Sequence, residues 1–252
     1  MTRCSALALL RLPLVAALLA IPACGATTGP DYPAGPRILF IGNSLTYEDS
    51  LGARVADVLA QFGDSAVYVR TVGFPDYSLE DHWNEGTAPR LLREERWDFV
   101  VMQQGPSSTP ENQLYLASWV KQFAPLIRAA GAEPVLFQVW PSLRDTARFA
   151  LVDQSYRAAA DSVGGLYAPA GNAWHHLLGA DYPLGAALYE VDAFHPTPMG
   201  TYLAAVVIAA RIRGMKPDHL PPVAPGLTLE TGTVRSLQRA AQWALDHSPA
   251  HP

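Results

Sequence analysis

The sequence has few cysteines, few charged residues and no long apolar run beyond its first residues. Its 252 residues contain two cysteines, 16% charged and 49% hydrophobic residues, and carry a formal charge of −5 from 18 basic and 23 acidic side chains. So few cysteines exclude a small disulfide-stapled fold, and without a basic run interleaved with aromatics a nucleic-acid partner is not expected. The apolar content is sufficient for a sizeable buried core. We therefore expect a globular protein.

The first residues have the features of an export signal. Arg3 and Arg11 precede an apolar stretch at residues 12–21. This stretch has the length of a secretory signal and is too short to span a bilayer as a mature helix. The pattern predicts a signal peptide over residues 1–23 and hence an exported protein.

Cys24 would be the only cysteine of the mature chain, so it would have no internal disulfide partner. The stretch Leu-Ala-Ile-Pro-Ala-Cys-Gly at residues 19–25 resembles a bacterial lipobox, in which the cysteine receives a lipid, although Pro22 departs from the usual residue. Residues 24–36 then predict a flexible tether. We expect a cell-envelope lipoprotein that contacts the membrane through Cys24. Secretion with a bystander cysteine, or an uncleaved anchor, is the alternative.

From residue 37 onward, strand-like and helical patterns alternate. Almost continuous apolar runs, typical of strands covered on both faces, occur at 37–41, 66–72, 97–103 and 134–140. Helical spacing occurs at 51–62, 113–130, 145–163, 199–213 and 229–245. The alternation predicts parallel pairing and an α/β fold. We expect a single three-layer α/β/α domain over residues 37–247, with a flavodoxin-like parallel sheet.

Ligands of parallel sheets gather at the carboxyl ends of the strands, and three polar residues draw attention there. Ser44 lies in the turn Gly-Asn-Ser-Leu-Thr directly after the first strand. Asp192 precedes His195 by three residues, so its carboxylate can accept the Nδ1 proton and leave Nε2 as a base. Taken alone, a capping serine and a structural Asp–His pair are the alternatives. The other histidines show no ligand spacing around His195, so neither a metal nor another cofactor is expected.

Together these motifs resemble the SGNH hydrolase superfamily, also called GDSL esterases. Gly42-Asn43-Ser44-Leu45 is similar to its first block, Gly-Asp-Ser-Leu, and Asp192-x-x-His195-Pro196 is similar to its last. The resemblance covers about residues 36–215. It implies two-step acyl transfer from an ester, with Ser44 as nucleophile, His195 as base and Asp192 as its orienting partner.

The middle blocks, which supply donors of the oxyanion hole in the family, depart from the family pattern. The resemblance implies a donor from the N–H of Ser44 and another from the loop after the second strand, where Asp76 stands in the usual glycine position. Gly73 is the alternative if that loop is shifted. The family's third-block asparagine is absent, and the carboxamide of Gln103 or Gln104 would replace it, as in a subset of the superfamily. Strand alternation directs only one of them toward the site, and Gln103 is favoured. A capping glutamine is the alternative.

Candidate substrate contacts are Asn43, His82, Trp83, Trp140 and, in a later segment, Trp174. Aromatic faces would suit a sugar, although core packing is the commoner role of tryptophan. The expected function is that of an exported serine esterase acting on O-acyl esters, acetyl esters above all, of small molecules or carbohydrates. The alternative is a catalytically degenerate domain that binds envelope glycans or partners. The pattern does not predict an oligomeric state.

Overall fold

The computed structural model describes Met1 and residues 35–248. The chain divides into two units, Met1–Tyr32 and Pro33–Pro252, and the fold below is that of the second unit. Apart from Met1 and the last two residues of the predicted tether, the signal peptide, Cys24 and the tether lie outside the described residues. None of the described helices is long and apolar enough to cross a membrane.

The described residues contain a five-stranded parallel sheet with the strand order β2-β1-β3-β4-β5. Its strands are β1 Arg37–Gly42, β2 Tyr68–Gly73, β3 Phe99–Met102, β4 Glu133–Phe137 and β5 Leu166–Ala168. All residues of β1 are buried, because β2 and β3 pair with it on either side and helices cover both faces of the sheet. The chain leaves β1 toward β2 and returns to β3 on the other side, so the switch point of the topology lies at the carboxyl end of β1.

Helices flank the sheet on both faces. They are α1 Ser44–Tyr47, α2 Leu51–Gln61, α3 Leu79–Glu85, α4 Thr87–Glu94, α5 Pro110–Ala129, α6 Phe149–Asp161, α7 Ala170–Ala180, α8 Tyr182–Ala186, α9 Pro198–Arg213 and α10 Thr231–Asp246. Helices α2, α7 and α10 pack on α9, whereas α3, α4 and α6 pack on α5. The predicted three-layer α/β/α architecture and its flavodoxin-like strand order are confirmed.

Helix α9 lies at the centre of its layer and fixes the end of the segment that contains His195. It is buried from Gly200 to Ala210, because α2, α7 and α10 surround it. A helix enclosed in this way needs apolar residues all round rather than one amphipathic stripe. Its first turn is capped by the Thr197 hydroxyl, which accepts a hydrogen bond from the N–H of Gly200 at 3.3 Å. Helix α9 therefore begins shortly after His195, at a defined position.

Some predicted elements differ from the observed ones. The helix predicted over 145–163 begins only at Phe149, because Asp145 has φ −137° and ψ 48° within a 3₁₀ segment, Leu143–Arg148. Helix α5 begins earlier than predicted, where the Thr109 hydroxyl caps Pro110–Ala129. The sequence pattern also missed β5 and the helices α1, α3, α4, α7 and α8, all of them short except α7.

Candidate active site

The segment after β1 presents Ser44 at the first position of α1. Asn43 precedes it in an extended conformation, and its side-chain oxygen accepts a hydrogen bond from the N–H of Leu45 at 3.3 Å. Its amide nitrogen donates to the carbonyl of Tyr77 at 3.2 Å, which ties this turn to the loop after β2. Asn43 therefore holds the turn together, although the residue also borders the cavity beside Ser44.

Gln103, the residue after β3, stabilises the same turn through hydrogen bonds of its side chain. Its Oε1 accepts hydrogen bonds from the N–H of Asn43 at 3.0 Å and from the hydroxyl of Thr46 at 2.7 Å. A Cβ on Gly42 would lie 2.4 Å from Gln103 Oε1 and 2.3 Å from Thr46 Oγ1. Only glycine permits this approach, which explains the first residue of the motif.

His195 lies between Ser44 and Asp192. Its Nε2 is 2.9 Å from Ser44 Oγ, and its Nδ1 is 2.5 Å from Asp192 Oδ2. An ionised carboxylate only accepts, so Nδ1 carries the proton and Nε2 is free to accept the hydroxyl proton of Ser44. The hydrogen bond from His195, followed by that from the N–H of Phe194, lowers the pKa of Asp192 to about 2. The structure thus brings the three predicted catalytic residues together.

Glu48 is a further charged neighbour of this group, and it was not predicted. Its Oε1 lies 3.8 Å from Nε2 of His195, on the side that faces Ser44. A carboxylate at this distance attracts an imidazolium, which is the form that the base takes once it has accepted a proton. The sequence signal for this residue is weak, because an acidic side chain four positions after a serine is common.

A cavity of about 310 Å³ opens beside Ser44. Its walls come from the segments after β1, β2 and β3, from the start of α5 and from the residue before His195. They are formed by Asn43, Ser44, Asp76, Tyr77, Ser78, Gln104, Gly105, Pro106, Ser107, Asn112, Tyr115 and Phe194. Eight of these twelve residues carry a hydroxyl or a side-chain amide, and Asp76 is the one charged residue among them.

Three N–H donors border this cavity. The N–H groups of Ser44 and Asp76 have no acceptor among the described residues. Asp76 adopts φ 58°, the left-handed conformation that glycine would otherwise supply and that aspartate tolerates better than most residues. Gln104 donates one amide hydrogen to Ser107 Oγ at 3.1 Å and retains a second. Together they can stabilise an oxyanion next to Ser44.

Two of the predicted donors are placed elsewhere. The N–H of Phe74 bonds to the carbonyl of Gly42 on β1 at 3.3 Å, so the N–H of Gly73, one residue earlier, points the other way. Gly73 instead accommodates Tyr47, whose ring would lie 2.9 Å from an added Cβ. Gln103 donates its two amide hydrogens to Asn43 Oδ1 and to the carbonyl of Gln104. The preference for Gln103 over Gln104 is therefore corrected, because Gln103 has no hydrogen left for a substrate.

His82 is fully buried and does not reach the cavity. Burial lowers its pKa, and its Nε2 donates to the carbonyl of Gly42 at 2.9 Å. The ring also lies against Tyr77, with centroids 5.2 Å apart, so it connects the turn of Ser44 to the loop of Asp76. Its predicted contact with substrate is corrected to a structural role.

The predicted tryptophan contacts do not line the cavity. Trp83 is partly buried and packs edge-on against Phe123, with ring centroids 5.1 Å apart. Trp140 and Trp174 are both fully buried and stack on each other at 3.5 Å, so neither is available to a ligand. The aromatic surface of the cavity comes instead from Tyr77, Tyr115 and Phe194, which the sequence analysis did not single out.

Solved structures show which known proteins share this fold. The chain is similar to a protein named as a candidate SGNH hydrolase from Slackia heliotrinireducens, with 28% identity, a TM-score of 0.58, and coverage of 71% of this chain and 99% of that one. It is also similar to a DUF4886 family protein from Bacteroides uniformis, with 16% identity, a TM-score of 0.67, and coverage of 84% and 95%. An acetyl xylan esterase from Geobacillus stearothermophilus is 20% identical, with a TM-score of 0.54 and coverage of 71% and 95%.

No protein-family model and no curated protein matches the sequence. The resemblance to SGNH hydrolases predicted from the two motifs is nevertheless confirmed by the structures. This protein has the α/β/α fold of the SGNH hydrolases, a fold that it shares with esterases and lipases.

Proposed function

We propose that this protein is a serine esterase that hydrolyses short O-acyl esters. The observation that carries the proposal is the series of hydrogen bonds that links Asp192 to His195 and His195 to Ser44. Its Ser44 end lies in the wall of a cavity bordered by three N–H donors. A serine that only caps a helix needs no histidine at 2.9 Å, and a structural Asp–His pair needs no serine. All three together match the requirements of an activated nucleophile.

In the proposed reaction, Ser44 Oγ attacks the ester carbonyl while Nε2 of His195 takes its proton. The N–H groups of Ser44 and Asp76 and the amide of Gln104 hold the resulting oxyanion. His195 then returns the proton to the departing alcohol, and the acyl group remains on Ser44. A water molecule, deprotonated by the same nitrogen, attacks the acyl-enzyme and releases the acid. Asp192 stays ionised throughout and keeps the imidazole in the required tautomer.

We further propose an acetylated carbohydrate as the substrate. The cavity holds about 310 Å³, and eight of its twelve lining residues carry a hydroxyl or a side-chain amide, which can bind a hydroxylated alcohol. One of the similar structures is an acetyl xylan esterase. An export signal and a lipid on Cys24 would place the enzyme at the cell envelope, where acetylated polysaccharides are accessible.

The test compares the wild-type protein with the variants Ser44→Ala and Ser118→Ala. Ser118 is an exposed serine on α5 and serves as the matched control. We expect hydrolysis of p-nitrophenyl acetate and of acetylated xylo-oligosaccharides by the wild type and by S118A, and none by S44A. A fluorophosphonate should label Ser44 alone.

Rates should fall as the p-nitrophenyl ester is lengthened from acetate to octanoate. Undiminished hydrolysis by a folded S44A would contradict the assignment of the nucleophile. A wild type that neither hydrolyses these esters nor reacts with the fluorophosphonate would favour a domain that binds glycans or partners without turnover.

A further inference from the structure

The segment that follows β4 forms hydrogen bonds with the segment that contains Asp192 and His195. The indole N–H of Trp140 donates to the carbonyl of Phe194 at 3.0 Å. The hydroxyl of Ser142 and the N–H of Leu143 both donate to the carbonyl of Ala193 at 2.9 Å. Two successive carbonyls, immediately before His195, are thus bound by residues 140–143.

The segment around Ala193 needs such external support. Ala193 adopts φ 65°, a left-handed conformation that costs a residue with a Cβ about 1–2 kcal/mol. This conformation lets Oδ1 of Asp192 accept the N–H groups of Phe194 and His195 at 2.9 and 3.0 Å. Strained backbone of this kind persists only where surrounding contacts determine it.

Trp140 is itself held in place on both sides. Its ring is fully buried and stacks on Trp174 with an interplanar angle of 7°. Trp174 in turn meets Tyr189 edge-on at 4.6 Å, and the Tyr189 hydroxyl donates to the carbonyl of Pro141 at 3.1 Å. The donor that binds Phe194 therefore belongs to a rigid group rather than to a mobile side chain.

We propose that Trp140 and Ser142 are positioning residues for His195, an inference that rests on the proposed esterase function. Neither residue lines the cavity, so neither touches the substrate. They fix the backbone of Ala193 and Phe194, and through it the ring of His195, so that Nε2 stays within hydrogen-bonding distance of Ser44. Trp140, predicted from the sequence as a substrate contact, acts instead on the base.

The stack offers a matched pair of variants. Trp140→Phe and Trp174→Phe remove the same atoms from the same pair of rings. Only the first loses a hydrogen bond, because Nε1 of Trp174 is buried without a partner among the described residues. If Trp140 only fills space, both variants should lower the unfolding temperature, and their kcat values should be the same.

We expect W140F to lower kcat about fivefold to tenfold, the effect of one hydrogen bond, with KM unchanged. W174F should retain the wild-type kcat and lose less stability than W140F, because it breaks no hydrogen bond. The second-order rate of fluorophosphonate labelling should fall in parallel with kcat, because it depends on the same activation of Ser44. The downfield proton NMR signal of His195 Hδ1, in its hydrogen bond to Asp192, should shift or broaden in W140F and not in W174F.

Equal kcat values in W140F and W174F, together with an unchanged Hδ1 signal, would overturn the proposal. If W140F does not fold, the variant Ser142→Ala tests the proposal instead. Ser142 is half-buried, and this change removes the hydrogen bond from its hydroxyl to the carbonyl of Ala193. An S142A variant with wild-type kcat and an unchanged Hδ1 signal would likewise overturn it. If the wild type has no esterase activity, the proposed function fails, and the Hδ1 signal alone still tests the positioning role.

Discussion

Gln103 and Gln104 are adjacent and chemically identical, yet their environments differ. The side chain of Gln103 makes four hydrogen bonds, all within or next to the turn of Ser44. Gln104 borders the cavity and keeps an amide hydrogen free. Alternation along the chain makes one of them structural and leaves the other for the substrate.

We predict opposite consequences for these two residues. Gln104→Ala should lower kcat about 10²–10³-fold, the usual effect of losing one oxyanion donor. It should also lower the free energy of unfolding by about 1–2 kcal/mol, because the buried N–H of Leu79 loses its acceptor. Gln103→Ala should lower the free energy of unfolding by about 2–4 kcal/mol, because it leaves buried partners unsatisfied. Steady-state kinetics and urea unfolding measure the two effects. A stable Gln103 variant with the larger loss of kcat would show that the donor is assigned to the wrong residue.

Asp192 acts through its charge as well as its shape. In Asp192→Asn, Oδ1 can still accept the N–H groups of the loop, but an amide would face Nδ1 and stabilise the wrong tautomer of His195. We expect kcat to fall about 10³–10⁴-fold, as for the equivalent change in a serine protease triad. The measurement is p-nitrophenyl acetate hydrolysis, with the circular dichroism spectrum as a control for folding. A loss smaller than about tenfold would mean that Asp192 is not needed to orient the base.

The pKa of Asp192 also sets the sign of a pH effect on stability. Its value of about 2 in the folded protein lies below the ordinary 3.8, so the unfolded chain binds the proton more readily. The contribution is therefore present above about pH 4 and is lost as the pH falls through about 2. The difference between wild type and Asp192→Asn in thermal unfolding should shrink across this window, and a constant difference would contradict it.

At the scale of elements, helix α9 determines how closely its neighbours approach. A Cβ on Gly200 would lie 2.5 Å from the carbonyl oxygen of Leu188 and 2.6 Å from the ring of Trp174. The first turn of α9 therefore packs directly against the segment before the Asp192 turn and against the tryptophan stack.

We predict that Gly200→Ala lowers the free energy of unfolding by about 1–3 kcal/mol, the usual cost of overpacking. The control is Gly179→Ala on α7, where a Cβ would meet no atom within 4 Å. That variant should gain about 0.5–1 kcal/mol from its higher helix propensity. Denaturant unfolding of both variants provides the measurement. Stabilisation by Gly200→Ala would show that α9 lies further from Trp174 than described.

The elements also show why part of the fold was predictable. Strands β1, β3 and β4 are buried on both faces and appear as apolar runs in the sequence, whereas β5 has only three residues and gives no clear pattern. The motifs of Ser44 and of Asp192 with His195 were recognisable because each is local. The burial of His82 and Trp140 was not, since it depends on helices that pack from distant parts of the chain.

At the scale of the whole molecule, we expect the first residues to determine the location of the protein. If Cys24 carries a lipid, Cys24→Ser should move the protein from the membrane fraction to the soluble fraction and lower its mass by that of the lipid. Cys4→Ser, a change within the predicted signal peptide, should have no effect. Cell fractionation and mass spectrometry measure both. A wild-type protein found in the soluble fraction would contradict the lipid anchor on Cys24.

The contact between Trp140 and Trp174 also has a spectroscopic consequence. Two indoles held parallel at 3.5 Å couple their electronic transitions, so this pair should contribute a distinctive band to the ultraviolet circular dichroism of the native protein. Because one of these indoles is bonded to the backbone beside His195, movement of that backbone should alter the band. The circular dichroism band of this tryptophan pair should therefore report, without any added label, whether the backbone beside His195 has moved.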